Sequence, residues 1–243
     1  MDNIKTLTEM LKQSKRPVFF GGAGVSTESG IPDFRGSHGL FAEKRQIPAE
    51  EILHISFFES RPEDFYDFYR EKLLCLNAKP NNAHLKLAEL EKAGKLSAVI
   101  TQNIDGLHQA AGSLNVIEMH GSIHKNVCTA CGKNVDLSVI IETNSLPLCS
   151  CGGLVRPKVT LYGEPLDHSV ITAAVSHISK ADMLIVAGTS LQVYPVAGLL
   201  GYFKGKNIVM INKTPTAFDQ EADLVIRTPV GEALGAIDLS DIT

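Results

Sequence analysis

Near the start of the chain, Ile4, Leu7, Met10 and Leu11 share one helical face. The spacing predicts an amphipathic helix over residues 3–14, ended by Pro17. Val18-Phe19-Phe20 then reads as a short buried strand running directly into glycines. Helical character returns at 62–77, where Pro62 suits a first turn, and at 81–93, closed by Gly94. Short apolar runs follow at Ala98–Ile100, Val116-Ile117, Met183–Ala187, Ile208–Ile211 and Leu224–Ile226, with helical stretches near 168–179 and 195–203. Short apolar strands alternating with helices predict an α/β fold whose parallel sheet is covered on both faces. Residues 124–157 break the rhythm with clustered cysteines, polar turns and little periodicity. They read as a small inserted module, and segments around 36–80 are expected to cover the loop end of the sheet.

Composition narrows the classes. The 243 residues are 44% hydrophobic and carry 23 Lys+Arg against 27 Asp+Glu, a net charge of −4. That balance excludes a disordered chain and disfavours nonspecific binding to nucleic acid or anionic lipid. A chain of this length buries about 70–75% of its unfolded surface and needs no disulfide. Val18 to Val25 is too short and too rich in glycine to span a bilayer, and no basic segment leads into an apolar one. The expectation is a cytoplasmic protein with no membrane contact. Four of the five cysteines form close pairs, which a reducing compartment turns toward metal.

Chemistry concentrates at the predicted strand ends. Gly21-Gly22-Ala23-Gly24-Val25-Ser26 follows the first strand, where glycines let the backbone approach a pyrophosphate. Alone it is equally a tight turn, and Thr27 stands where the usual dinucleotide fingerprint has its third glycine. Gly30-Ile31-Pro32-Asp33-Phe34-Arg35 continues it, with Phe34 able to cover a nicotinamide ring and Arg35 able to hold phosphate. Thr101-Gln102-Asn103-Ile104-Asp105-Gly106-Leu107-His108 follows the second strand. Its amides and carboxylate suit ribose hydroxyls or a carboxamide, or else cap a helix. Glu118-Met119-His120-Gly121 follows the third and offers His120 as a general base. The other histidines, His38, His84 and His108 among them, carry packing or surface roles in this reading.

Cys128-x-x-Cys131, seventeen residues, then Cys149-x-Cys151 is the spacing of a tetrahedral thiolate zinc site. Four protein ligands leave no open position, so the metal is structural. Cys75 lies alone in a helical pattern and is expected to be buried. Gly153 to Glu164 reads as an extended run that offers backbone edges and the Tyr162 ring to a peptide. Ala187-Gly188-Thr189-Ser190 and Met210-Ile211-Asn212-Lys213 repeat the strand-to-polar-loop pattern. Such loops at several strand ends converge on one crevice.

In this order the motifs resemble the sirtuins, the NAD-dependent protein lysine deacylases, from Gly22 to about Asn212. The resemblance implies a Rossmann-like, doubly wound domain over 1–35, 81–123 and 158–243. It also implies a small zinc-ribbon domain formed by 124–157 with part of 36–80. NAD and acyl-lysine would meet in the cleft between them. It assigns Ala23, Thr27, Phe34 and Arg35 to the loop covering NAD, and Gln102, Asn103, Ile104 and Asp105 to the ribose and nicotinamide pocket. Thr189, Ser190 and Asn212 fall to the adenosine end. His120 becomes the base, with Asn103 beside it in catalysis, and Tyr162, Gly163 and Val193 build the acyl-lysine tunnel. The implied products are lysine, nicotinamide and O-acyl-ADP-ribose, and the zinc is remote from the chemistry. Similarity to the compact bacterial members implies a monomer.

Two departures matter. The second cysteine pair is Cys-x-Cys where the family more often has Cys-x-x-Cys. Members that prefer acidic acyl groups carry Tyr and, three residues later, Arg; here Tyr66 is followed at that spacing by Tyr69, with Arg70 one residue on. One residue is about 100° around a helix, so Arg70 is expected to point elsewhere and the acyl pocket to favour acetyl or longer neutral chains. Transfer of ADP-ribose to a protein by the same chemistry is the alternative activity, and a nonenzymatic NAD-responsive module is the alternative of another class.

Overall fold

The computed structural model describes residues 2–37 and 39–242, so His38 lies outside the described residues. The strands described are β1 (Pro17–Gly21), β2 (Ala98–Thr101), β3 (Val116–Glu118), β4 (Gly121–Cys128), β5 (Asn134–Val135), β6 (Val155–Val159), β7 (Met183–Ala187), β8 (Asn207–Ile211) and β9 (Leu224–Ile226). Six of them form a parallel sheet in the order β3-β2-β1-β7-β8-β9. The chain moves outward from β1 through β2 to β3, then returns to the other side of β1 for β7 onward. This is the doubly wound order, with its reversal between β1 and β7.

β1 and β7 are buried at every residue, which is why they read as unbroken apolar runs. The strand period still sorts their side chains. Phe19 packs with Leu7, Leu11, Leu87, Leu90 and Leu234 from helices Asp2–Gln13, Asn82–Lys92 and Val230–Gly235. Val18 and Phe20 pack on the opposite face with Ala174 and Ile178 of helix His168–Lys180 and with Leu199 and Leu200. The helix expected at 195–203 is instead a 3₁₀ segment, Val196–Tyr202. Pro195, Gly198 and Gly201 remove the propensity that a regular α-helix needs there.

The inserted module has more order than its sequence suggests. β4, β5 and β6 form an antiparallel sheet in the order β5-β4-β6. A register irregularity between Ser122 and Asn126 breaks the alternation that would have revealed β4. Helices Ala49–Ile52, Ile55–Ser60 and Pro62–Phe68 cover this sheet. Together they enclose a third core around Phe57, Phe65, Tyr66, Tyr69, Ile123 and Val155. The helix expected to continue to residue 77 gives way to a π turn, Tyr69–Leu73, which lays Leu73 and Leu74 on that core. The antiparallel sheet reaches back to Gly121 and forward to Val159.

One glycine joins the two sheets. Gly121 follows the His120 turn and has φ +78. A Cβ there would fall on the Lys158 carbonyl oxygen. Gly112 has φ +103 but open space around it. Gly121→Ala should therefore cost about 2–4 kcal/mol in urea unfolding, and Gly112→Ala only about 1 kcal/mol of backbone strain. Equal losses would show that the close approach to Lys158 is not what fixes this residue.

Candidate active site

The glycine loops after β1 and β7 meet backbone to backbone at the switch point. Gly22 N–H donates to Ala187 O (3.1 Å) and Gly24 N–H to Gly188 O (2.8 Å). A Cβ on Gly24 would lie 2.7 Å from Gly188 Cα, and Gly188 itself has φ +58. No side chain fits between these turns, so peptide groups rather than side chains line this part of the crevice. Leu191 continues the second loop at φ 55, a strained conformation for a β-carbon-bearing residue, held by a bond from its N–H to Thr189 Oγ1 (3.2 Å).

A cavity of about 850 Å³ opens from this point between the large sheet and the small domain. Ala23, Thr27, Phe34 and Arg35 line it from the first loop. Gln102, Asn103 and Ile104 enter from β2, and His120 from the turn after β3. Thr189, Ser190, Val193 and Asn212 line the far side, with Tyr162 and Gly163 at the small domain. Asp105 alone among the expected nucleotide residues is not in the lining. Its carboxylate accepts from Ser26 Oγ (2.7 Å) and from Leu107 N–H (2.9 Å), behind the wall. The structure adds Leu53 and Leu73 from the helical cover, and Thr228, Pro229 and Val230 beyond β9. The strand-end rule would have found the latter group; the leucines carry no signal in the sequence.

His120 is positioned for base chemistry. Its Nδ1 lies 2.9 Å from the Gln102 carbonyl oxygen. A carbonyl only accepts, so Nδ1 holds the proton and Nε2 keeps a free lone pair. Burial lowers the pKa of the ring, and the Gln102 carbonyl partly offsets this. The imidazole is thus neutral at pH 7. Gln102 Nε2 donates to Thr189 Oγ1 (3.0 Å), tying the β2 loop to the β7 loop.

The loop after β1 forms one side of the cavity and is held by its own contacts. Asp33 accepts from Gly36 N–H (2.8 Å), and Phe34 packs on Phe41 at 5.5 Å between centroids. The Arg35 guanidinium lies 5.2 Å above the Phe41 ring and 3.6 Å from Glu50. Gly163 has φ +86, and a Cβ there would press on the His54 ring at 2.6 Å. Tyr162 pairs with His54 as an isolated bridge, which sets the wall of the cavity at the small domain.

Tyr66, Tyr69 and Arg70 do not reach the cavity. Both tyrosines are fully buried in the small-domain core. Tyr66 Oη donates to the Val155 carbonyl, and Tyr69 stacks on Phe65 at 5.7 Å. Arg70 donates to Ile140 O (2.9 Å) and Ser145 O. The arginine does point elsewhere, but the tyrosines pack rather than shape a pocket.

The four paired cysteines converge. All four Sγ atoms lie within 4.8 Å of one another, with Cys128–Cys151 at 3.5 Å and Cys131–Cys149 at 3.9 Å. A tetrahedron with Zn–S of about 2.3 Å has S–S edges of about 3.8 Å, so this donor set fits zinc with no position left for substrate. Cys-x-Cys therefore closes the set despite its shorter spacing. Cys75 is partly buried, and burial raises its thiol pKa.

Two histidines lie behind the cavity wall. His84 and His108 are buried with ring centroids 4.7 Å apart. Burial depresses the pKa of His84 to about 4, partly opposed by Asp105. Burial, with His84 adding to it, depresses that of His108 to about 3. Both ring nitrogens of His108 are buried without a hydrogen-bond partner.

The Sir2 family profile matches residues 22–195. An NAD-dependent protein deacetylase of Clostridium perfringens (strain 13 / Type A) is 55% identical over 240 residues, covering 97% of this chain and 98% of its own. The protein of the same name from Clostridium acetobutylicum is 54% identical over 241 residues, covering 98% of each. Among solved structures, a Sir2 variant with deacetylated p53 peptide and 3′-O-acetyl-ADP-ribose superposes with a TM-score of 0.91 at 40% identity, covering 99% of this chain and 100% of that one. A Sir2 complex with p53 peptide and NAD+ gives 0.85 at 40% identity over 95% of each chain.

Two outcomes follow from this geometry. Metal analysis should find one zinc per chain, and Cys149→Ser should lose it together with the ordered small sheet; zinc retained in that variant would exclude this ligand set. Acidification should destabilise the fold. The unfolded chain protonates His84 and His108 near pH 6.5, whereas the folded rings resist until about 4 and 3, so the unfolded state binds more protons in between. Stability should fall as pH drops from 7 to 5, and less steeply in His108→Leu. An unchanged slope in urea titrations of that variant would contradict the assignment.

Proposed function

This chain belongs to the Sir2 family, and we propose that it is an NAD-dependent protein lysine deacylase. The observation that carries the reading is His120, neutral and with Nε2 free, in one cavity with the glycine loops of the switch point. The residues fit NAD. The packed glycine turns present peptide groups to a pyrophosphate, Arg35 supplies a cation, and Thr189, Ser190 and Asn212 supply polar contacts for adenosine ribose. Gln102, Asn103 and Ile104 would hold the ribose and nicotinamide end, and Tyr162, Gly163 and Val193 the acyl-lysine and its peptide. Bound there, NAD would supply an electrophilic ribose carbon with nicotinamide as its leaving group.

The protein's part is to exclude water, orient and move a proton. Phe34 and its loop line the cavity, and packed against bound NAD they would shield a reactive centre from bulk solvent. His120 Nε2 takes the proton from a ribose hydroxyl, and the developing imidazolium is stabilised by the Gln102 carbonyl at Nδ1–H. Acyl-lysine, NAD and water become lysine, nicotinamide and O-acyl-ADP-ribose. Zinc holds the ends of the small sheet and takes no part in the reaction. The names of the relatives and the Sir2 complexes with acetyl-ADP-ribose support this activity. We read the protein as a monomer acting on acyl-lysine peptides without nucleic acid. Free thiols suited to metal support a cytoplasmic location, and no helix among the described residues is long and apolar enough to cross a membrane.

We place the acyl group beside Tyr162 and Gly163, at the small-domain side of the cavity. Leu53, Leu73, Ile104, Val159 and Leu161 line it, and Arg70 is engaged with main-chain carbonyls elsewhere. Neutral acyl groups are therefore the preferred substrates. A Sir2 bound to a propionylated peptide, 39% identical with a TM-score of 0.87, supports this choice. Mass spectrometry of acetyl- and succinyl-lysine peptides with and without NAD tests both statements. The expected result is NAD-dependent loss of acetyl, with matching nicotinamide and O-acetyl-ADP-ribose, and much slower loss of succinyl. His120→Ala should lower turnover by about 100-fold or more while keeping zinc and fold. Faster turnover of succinyl would refute the acyl preference, and NAD consumption without loss of acyl would favour ADP-ribosyl transfer.

A further inference from the structure

The deacylase reading gives Glu28 no task. Glu28 sits on the turn Thr27–Ser29, next to Thr27 of the cavity wall. Its carboxylate accepts from the Gly231 N–H (2.6 Å), 203 residues further along the chain. Gly231 is buried in helix Val230–Gly235, whose cap position is Pro229. Proline has no side-chain acceptor, so this amide takes its acceptor from the loop after β1. The approach is close. A Cβ on Gly231 would lie 2.8 Å from both carboxylate oxygens of Glu28, so glycine is what admits the bond. Glu28 also stands on a fixed base. Asn81 Nδ2 donates to Val25 O (2.8 Å) and to Ser29 Oγ (3.0 Å), on either side of it.

The bond joins two walls of one end of the cavity. Ala23, Gly24 and Thr27 line it from the loop after β1, and Thr228, Pro229 and Val230 from the segment just before Gly231. Strand order says which end this is. Gln102, Asn103, Ile104 and His120 enter from β2 and β3, on one side of β1. Asn212 follows β8 and Thr228 lies beyond β9, the outermost strands on the other side. A dinucleotide laid across the switch point with its nicotinamide end toward His120 leaves its adenosine end to the β8 and β9 loops. Val230 is buried in the same core as Val25, and that packing sets how deep segment 228–230 lies. Apolar packing has no direction, whereas the Glu28 bond does, so the bond fixes how the peptide groups of the segment face the first loop.

We propose that Glu28 is a positioning residue: by taking the Gly231 amide it fixes segment 228–230 against the loop after β1, and so sets the shape of the cavity's adenosine end. The proposal rests on the deacylase reading for its ligand. Glu28 is not in the cavity lining and touches no reacting atom. Its loss therefore weakens nucleotide binding and leaves the chemistry at His120 in place.

Calorimetric titration of ADP-ribose into four zinc-loaded chains tests it: wild type, Glu28→Ala, Gly231→Ala and the double variant, each checked for folding by circular dichroism. Glu28→Ala removes the acceptor. Gly231→Ala drives the acceptor away while improving helix propensity. Each single variant should bind ADP-ribose about tenfold more weakly. Once the carboxylate is gone the added methyl no longer meets it, so the double variant should bind no more weakly than Glu28→Ala. Glu28→Gln keeps an acceptor and should stay within about threefold of wild type. With an acetyl-lysine peptide, Glu28→Ala should raise KM for NAD. At saturating NAD its kcat, and the nicotinamide concentration for half-inhibition, should change by less than about twofold. Wild-type ADP-ribose affinity in Glu28→Ala would overturn the proposal. So would additive losses in the double variant, or a loss in Glu28→Gln equal to that in Glu28→Ala. Should Gly231→Ala not fold, the two Glu28 variants still decide. A wild-type chain that bound no ADP-ribose would overturn the deacylase reading, and the proposal with it.

Discussion

The structure depends on a contact with no side chains in it. At the switch between β1 and β7 the strand order reverses, and the two following loops must leave the sheet in opposite directions yet stay close. They do so because Gly24 packs on Gly188, with Gly22 bonded across to Ala187. The crevice exists because the order reverses, and its floor is peptide because the turns are too close for Cβ atoms. The remaining site residues are hung around that floor.

Three cores divide the work. Two lie on the faces of the parallel sheet and hold its carboxyl ends level, so Gln102, His120, Thr189 and Asn212 arrive at one rim. The third belongs to the small domain and supplies the opposite wall through Tyr162, Gly163 and Leu73. Gly121 joins the two bodies directly after His120, so this histidine stands where the two sheets meet. Zinc ligation at the end of β4 replaces a larger hydrophobic core, which a segment this short does not supply.

Much of this was legible in the sequence for identifiable reasons. Parallel strands buried on both faces read as plain apolar runs, and each ended in polar residues that the fold gathers at one rim. Cysteine spacing announced the thiolate cluster, because chelation imposes a spacing that packing does not. What was hidden depends on partners distant in sequence. β4 lost its alternation to a register irregularity. The π turn at Tyr69–Leu73 follows from the core it joins, not from its own residues. Tyr66 and Tyr69 stand at the spacing of a family pocket motif, and only the packed structure shows that their rings fill the small-domain core. Glu28 is one acid among 27, and only the bond it takes from Gly231 sets it apart.

The central claim is that NAD is held by the backbone floor of the switch point. Calorimetric titration of NAD into the wild-type chain and Gly188→Ala tests it most directly, with circular dichroism to confirm that both are folded. A Cβ at residue 188 would press on the Gly24–Val25 peptide. The account predicts saturable binding at one site per wild-type chain and loss of about tenfold or more in affinity in the folded variant. Equal affinity in the two proteins, or no binding by the wild type, would contradict it.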